Sequence, residues 1–178
     1  MKKIKLCDFG NALSLSEAGI TEYIASRYYR APEIILGCKF DTQVDMWSLG
    51  ATLSEACTGK ILFPGISNHD MIRLMLNLKG IKMPEWMIKE GQFSNKHFDA
   101  EGKFIMREQG PLRVGTDDLM AALKAANKKA DAKVLVFFKD FLQKCLTIDP
   151  KERLCPEDAL GHPFIGLKAK KRIEFKNN

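Results

Sequence analysis

The sequence predicts a mainly α fold with a short β segment at its beginning. Three observations carry that reading. Residues 42–58 place apolar side chains nearly all round a helical circumference, as a helix through the middle of a core does. Further stretches opening near Asn68, Thr116, Val134 and Pro156 follow helix-start or turn signals, and two of them carry one clear apolar face. Only Ile4-Lys5-Leu6-Cys7 alternates apolar and polar residues as a strand would. The chain has 178 residues, 46% hydrophobic and 28% charged, which excludes a disordered chain, a collagen-like fibre and a disulfide miniprotein.

The elements follow in order. The strand runs into Asp8-Phe9-Gly10, and the small polar residues from Asn11 to about Thr21 read as a long loop. Its extension, Tyr23–Pro32, is dense in aromatic and basic residues. Asp41-Thr42 offers an N-cap for a helix to about Thr58, with Gly59 as the stop. Asn68-His69-Asp70 opens a second helix with Met71, Ile72, Leu74, Met75 and Leu78 on one face, ended by Gly80. Residues 80–116, punctuated by Pro84, Gly91, Gly102, Gly110, Pro111 and Gly115, have no clear period and read as an irregular insertion. Thr116-Asp117-Asp118 starts a helix through Ala126, and Val134–Leu146 forms another with Leu135, Phe138, Phe141, Leu142 and Cys145 on its face. A last short helix, about Pro156–Leu160, follows the turn at Asp149-Pro150. No repeat or low-complexity linker divides the chain.

The net charge of +6 is concentrated at the ends: +3 in the first five residues and +4 in residues 165–178, which leaves about −1 for the 159 residues between them. The run Lys168–Arg172 reads as a solvated terminus, with a nucleic-acid contact or import signal as the alternative. Cys7, Cys38, Cys57, Cys145 and Cys155 are odd in number and show no C-x-x-C spacing, so all five read as buried small hydrophobes of a protein in a reducing compartment. No stretch approaches ~18 uninterrupted apolar residues and the first residues lack a signal peptide's apolar core, so the expectation is a soluble intracellular protein without a membrane partner.

Asp8-Phe9-Gly10 alone means little. Downstream lie Ala31-Pro32-Glu33, then Asp45-x-Trp47-Ser48-x-Gly50, then Asp149-Pro150-x-x-Arg153. Four motifs in this order, at this spacing, resemble the C-terminal lobe of a eukaryotic protein kinase from its metal-binding motif to its last helix, over nearly the whole chain. Ser26-Arg27-Tyr28-Tyr29-Arg30-Ala31-Pro32-Glu33 resembles the CMGC group of mitogen-activated, cyclin-dependent and dual-specificity tyrosine-regulated kinases. Thr21-Glu22-Tyr23 is similar to the dual phosphorylation triplet of mitogen-activated kinases. Residues 58–65, and 78–99 with Leu78-Lys79-Gly80, Met83-Pro84 and His97-Phe98-Asp99, resemble the splicing-associated pre-mRNA-processing kinase of the dual-specificity clan.

The resemblance implies roles residue by residue. A phosphoryl group in transfer carries charge that a divalent metal neutralises, and a carboxylate on a tight turn can hold that metal. Asp8 takes this role as Mg ligand and cofactor contact, with Phe9 packed beneath and Gly10 allowing the turn; the alternative is a solvated Asp after a strand. Tyr23, with Thr21 as a weaker second site, is the activation phosphosite, and Arg27 and Arg30 would clamp its phosphate. Tyr23 is otherwise an ordinary loop aromatic. Ser26 falls in the substrate-facing loop, or is a plain turn residue. Glu33 and Arg153 pair as a buried ion pair, and Asp45 accepts backbone hydrogen bonds from the catalytic loop.

The sequence contains no Gly-rich phosphate loop, no strand lysine of the V-A-I-K type and no H-R-D catalytic loop. The expectation is therefore a partial kinase domain over residues 1–166, with an activation segment at 8–33, an insertion at about 80–116 and a basic tail at 167–178. It would be part of a serine/threonine kinase that uses ATP and Mg, acts on protein substrates, meets spliceosomal or kinase partners and resides in the nucleus. By itself it would bind neither cofactor tightly and would not catalyse. The alternative is a natural non-catalytic module that binds proteins. Exposed apolar surface on the helix 42–58 is expected in either case.

Overall fold

The computed structural model describes residues 4–17, 19–21, 23–80, 82–107 and 116–166. The tail 167–178, Glu22 of the Thr-Glu-Tyr triplet and residues 108–115 of the insertion lie outside the described residues. Helices α1 (Pro32–Leu36), α2 (Gln43–Thr58), α3 (Asn68–Lys79), α4 (Glu85–Glu90), α5 (Thr116–Ala126), α6 (Ala132–Cys145), α7 (Pro156–Leu160) and α8 (Pro163–Gly166) are joined by loops and two single 3₁₀ turns.

Local chemistry sets the helix ends. Pro32 opens α1, where its fixed φ suits the first turn and its missing N–H costs nothing. Gly59 and Gly80, at φ 69° and 59°, close α2 and α3 with left-handed caps. Ser67 accepts from the Asp70 amide to open α3. At the start of α2, Asp41 rather than the cap residue Thr42 supplies the side-chain acceptor, for the Gln43 amide at 2.8 Å.

Helix α2 is the hub. Its Met46, Trp47, Gly50, Ala51 and Ser54 are buried against α6, α5 and the loop 61–65. Trp47 stacks on Phe63 with ring centroids 5.6 Å apart. Gly50 is required by close approach: a Cβ there would meet Cys145 Cβ at 2.9 Å and Leu146 Cγ at 3.0 Å. A second cluster of Leu119, Leu123, Leu135, Phe138 and Leu142 joins α5 to α6, and Leu53 and Cys57 of α2 pack against it.

A fully buried ion pair ties the two ends of this assembly. Arg153 Nη1 and Nη2 donate to Glu33 Oε1 and Oε2 at 2.6 and 2.9 Å, and both side chains are wholly buried. The same guanidinium donates to the carbonyls of Gln43 (2.7 Å), Thr147 (2.8 Å) and Ile148 (3.1 Å), so all five of its N–H groups have acceptors.

Three expectations need correction. Residues 4–10 form no strand: Ile4 and Leu6 are 97% and 86% exposed, and an alternating pattern cannot hold a strand without a neighbour to pair with. Helix α2 is not buried all round, because Asp45, Leu49, Thr52 and Ala56 form an exposed stripe. The insertion is not irregular throughout. It contains α4, whose Met87 is fully buried, and its Phe93 amide donates to the Leu36 carbonyl at 2.9 Å. Gly37, at φ 70°, makes room there: a Cβ would meet the Phe93 ring at 2.5 Å.

Two stability outcomes follow. Arg153→Ala strands a buried carboxylate and should cost roughly 3–5 kcal/mol in urea unfolding, whereas Glu33→Leu combined with Arg153→Met should cost less than either single change. Gly50→Ala should cost about 1–3 kcal/mol in the same assay, because the atoms it meets belong to a packed helix and cannot withdraw.

Candidate functional site

The residues singled out by the sequence fall in two places. Asp8, Phe9 and Gly10 lie at the exposed beginning of the described chain. Thr21 to Glu33 run across the end of the assembly formed by α1, α2 and α3.

Asp8 sits at φ 62°, in the left-handed region, and is exposed. Phe9 is 67% exposed rather than packed beneath it, since no described residue lies over its ring. Among the described residues no group of three His, Cys, Asp or Glu side chains is placed to hold a metal ion. Asp8 is the one carboxylate of the motif, and a divalent metal there would need further oxygen ligands.

The second place is built tightly. Arg30 is 6% exposed, and its guanidinium donates to the Ile24 carbonyl at 3.2 Å, the Ala25 carbonyl at 3.0 Å and Asn68 Oδ1 at 2.7 Å. The Tyr23 ring lies against the same cation, 5.6 Å from centroid to guanidinium carbon. Tyr23 is otherwise 76% exposed, and its amide donates to Thr21 Oγ1 at 3.2 Å. Ala25 adopts φ 65°, a left-handed conformation that costs a non-glycine residue roughly 1–2 kcal/mol. The Arg30 bond to its carbonyl offsets that cost and fixes the direction in which the peptide points.

Ser26 and Arg27 follow, both exposed. Ser26 occupies the cap position of the 3₁₀ turn Arg27–Tyr29 without a side-chain bond, and its carbonyl accepts from the Tyr29 amide at 3.0 Å. Helix α2 grips the turn from below. Ser48 Oγ donates to the Tyr29 carbonyl at 2.8 Å, and the Tyr29 hydroxyl donates to Glu55 Oε2 at 2.8 Å. Donating to that carboxylate holds the Tyr29 phenol above its ordinary pKa.

The structure thus brings Tyr23, Arg30 and Glu33 into one strip of chain that ends on Arg153. Arg27 lies beside it, while Asp8 and Asp45 stand apart. Asp45 is exposed in the first turn of α2. Sequence reasoning missed Asn68, Ser48, Glu55 and the left-handed Ala25. Ser48 and Glu55 are seven residues apart on a helix, hence on one face, and that spacing was a usable signal.

The expectation of five buried cysteines holds for Cys38 and Cys145 and is corrected at Cys7, which is exposed because residues 4–10 pack on nothing described, while Cys57 and Cys155 are half-buried. Burial raises Cys38 to about 12 and also raises Cys57.

Residues 1–165 match the family model described as protein kinase domain. The chain is 41% identical over 175 residues to the serine/threonine-protein kinase prp4 of Schizosaccharomyces pombe, covering 91% of this chain and 36% of that protein. It is 39% identical over 176 residues to the serine/threonine-protein kinase prpf4B of Dictyostelium discoideum, covering 91% and 22%. Against the dual specificity tyrosine-phosphorylation-regulated kinase 3 of Rattus norvegicus it is 35% identical over 187 residues, covering 93% and 30%. The chain therefore spans about a third or less of the length of each of these relatives.

Two substitutions test the built strip. Arg30→Ala should speed proteolysis between Tyr23 and Arg27 by at least on the order of tenfold, since it removes two charged hydrogen bonds to that segment. Ala25→Gly should leave urea stability unchanged or raise it by up to ~1 kcal/mol, since glycine adopts positive φ without strain.

Proposed function

The chain belongs to the protein kinase domain family, and from that premise we propose that it is the activation-segment-bearing part of a serine/threonine kinase that transfers the ATP γ-phosphate to protein hydroxyls. The observation that carries this reading is Arg30, which fixes the peptide at Ile24–Ala25 while its cation lies against Tyr23. A loop held in one direction by a buried arginine suits the presentation of a protein substrate. Residues 8–33 are the activation segment in this reading, residues 1–166 a partial kinase domain and residues 167–178 a basic tail.

Tyr23 is the site of activating phosphorylation, with Thr21 second. A phosphate of about −1.5 to −2 charge on Tyr23 would stand beside the Arg30 guanidinium, against which the Tyr23 ring already lies, and would draw in the exposed Arg27. Ser26, exposed between them, faces the substrate.

Protein substrates are the partners. The similarity of residues 58–65 and 78–99 to the pre-mRNA-processing kinase supports partners in the splicing machinery and a nuclear location. No helix among the described residues is long and apolar enough to cross a membrane. ATP and Mg belong to the family's reaction; the exposure of Asp8 and the absence of catalytic-loop motifs from this sequence support a chain that does not catalyse by itself.

Phosphorylating Tyr23 should slow proteolysis between residues 23 and 30 by on the order of tenfold, and Arg27→Ala should remove most of that protection. Equal protection in Arg27→Ala would remove Arg27 from the clamp. Millimolar ATP with Mg should move the melting temperature of the chain by less than about 1 °C, because binding stabilises only in proportion to ligand held. A shift of several degrees would overturn the assignment of the chain as non-catalytic by itself.

A further inference from the structure

A cavity of about 120 Å³ lies between the C-terminal end of α2, the start of α6 and the short helix α8. Leu53 and Cys57 line it from α2, Val134, Leu135 and Phe138 from α6, and Phe164 from α8. The Phe164 ring is held by contacts with Phe138 and Phe141, at centroid distances of 4.7 and 5.6 Å. Ala56, exposed on α2, also lines the cavity, which therefore reaches the surface there.

The wall is almost wholly apolar. Besides the Cys57 thiol only Asn127 brings a polar side chain to it. The Asn127 amide nitrogen already donates to the Leu123 carbonyl at 3.1 Å, the Cys57 carbonyl at 3.4 Å and Cys57 Sγ at 3.0 Å. Burial raises the pKa of that thiol, with the Asn127 bond pulling the other way, so α2 brings no charge to the wall. A buried water needs about two to four polar partners, and this lining does not provide them. An apolar cavity of about 150 Å³ stays dry and binds benzene, and the space here is only slightly smaller. Its natural guest is a hydrocarbon group of about six carbons.

The rim is charged, and mostly of one sign. Between its two basic ends the chain sums to about −1, yet residues 124–133 carry Lys124, Lys128, Lys129 and Lys133 against Asp131 alone, a net +3. All five side chains are exposed. Lys128 and Lys129 directly follow Asn127, in a turn closed by the Ala130 amide donating to the Asn127 carbonyl at 2.9 Å. Lys133 directly precedes Val134, and its ammonium lies 5.8 Å from the Phe137 ring centroid. Asp131 caps α6, its carboxylate accepting from the Lys133 amide at 2.8 Å. An apolar slot beside unbalanced ammonium groups is complementary to an anion with a hydrocarbon tail.

We propose that this cavity is a binding site for an aliphatic monocarboxylate, which places the end of its chain between α2, α6 and α8 and its carboxylate at Lys128, Lys129 and Lys133. Burial of the chain supplies the affinity. The carboxylate stays in water at the rim, so its charge is not desolvated, and an ammonium on a long flexible stem can follow it there. Neither Arg30 nor the Glu33–Arg153 pair lines the cavity, so the site is separate from the strip that carries Tyr23. A bound chain fills a void where α2 and α6 meet and stabilises the fold in proportion to its occupancy.

Titration of the full 178-residue chain with octanoate, followed by ¹³C NMR of the methyl groups, tests this. The methyls of Leu53, Val134 and Leu135 should shift to saturation, while those of Ile34 and Ile72 in the other core cluster stay fixed. From butanoate to hexanoate the affinity should rise about fourfold for each added methylene, and it should flatten beyond octanoate as the chain outgrows the cavity. Ala56→Leu puts side-chain atoms into the cavity and a good helix former on α2, so it should abolish binding while the melting temperature stays level or rises. Lys128→Gln with Lys129→Gln should weaken octanoate roughly threefold or more and leave 1-octanol unchanged. Lining methyls that do not respond in the wild type, or an affinity independent of chain length, overturn the site without recourse to a variant, as does undiminished binding in Ala56→Leu. Octanoate and 1-octanol that bind alike in wild type and lysine variant overturn the place of the carboxylate. Methyl shifts that follow protein concentration and not octanoate assign the cavity to a second copy of the chain and overturn the proposal.

Discussion

A carboxylate and a guanidinium that lie wholly out of water must satisfy each other completely or the fold fails. Glu33 and Arg153 do so: both oxygens of one meet both terminal nitrogens of the other, and three carbonyls take the remaining donors. Desolvating two charges costs several kcal/mol per ion, so the arrangement is tolerable only if each acceptor is in place at once. Those acceptors come from α1, from the first turn of α2 and from the loop after α6. One side chain thereby fixes the relative positions of three segments that lie 110 or more residues apart from its own end of the chain or within six of it. Trp47 completes the box, its ring 5.2 Å from the guanidinium carbon. Packing of α2 on α6 through Gly50 then follows from where that box places the two helices.

Arg30 repeats the device near the surface. It too spends its donors on carbonyls, but the carbonyls belong to a loop, and the loop residue it holds is in a strained conformation. Two arginines therefore divide the work: Arg153 fixes the scaffold, and Arg30, two residues before α1, fixes the segment laid across it. Ser48 and Glu55 join the two levels, since the same face of α2 that is set by the ion pair grips Tyr29.

Helices and their ends were legible because their causes are local. Gly59 and Gly80 stop α2 and α3 through positive φ, and the apolar faces of α3 and α6 repeat at helical spacing. Helix α4 was not legible, being six residues long and too short to establish a period. The alternation at Ile4–Cys7 misled because a strand is a property of two segments, and a sequence pattern describes one. At the site, the residue types were legible and their partners were not. Arg30 reads as a phosphate ligand from its place beside Tyr23, and only the fold shows that it also holds the carbonyls of Ile24 and Ala25 and the side chain of Asn68. His69 and His97 are 28 residues apart with no common motif, so nothing in the sequence announces their contact.

The stripe Asp45, Leu49, Thr52 and Ala56 ties the remaining discrepancies together. These positions recur every three or four residues, so they are one face of α2, and it is the face turned from α6. Asp45 is exposed, its expected donors belonging to a catalytic loop that this sequence does not contain, and Leu49, 41% exposed, is the exposed apolar surface expected on this helix. These are a single fact seen at two positions. The composition of α2 is that of a helix covered on every side, and the described residues cover it everywhere but along this stripe. An aspartate in the first turn is stable in water beside the helix dipole, so Asp45 requires no partner to be tolerated there. Leu49 has no such compensation, and its exposure costs the apolar burial that its neighbours Met46 and Trp47, one step round the same helix, obtain in full.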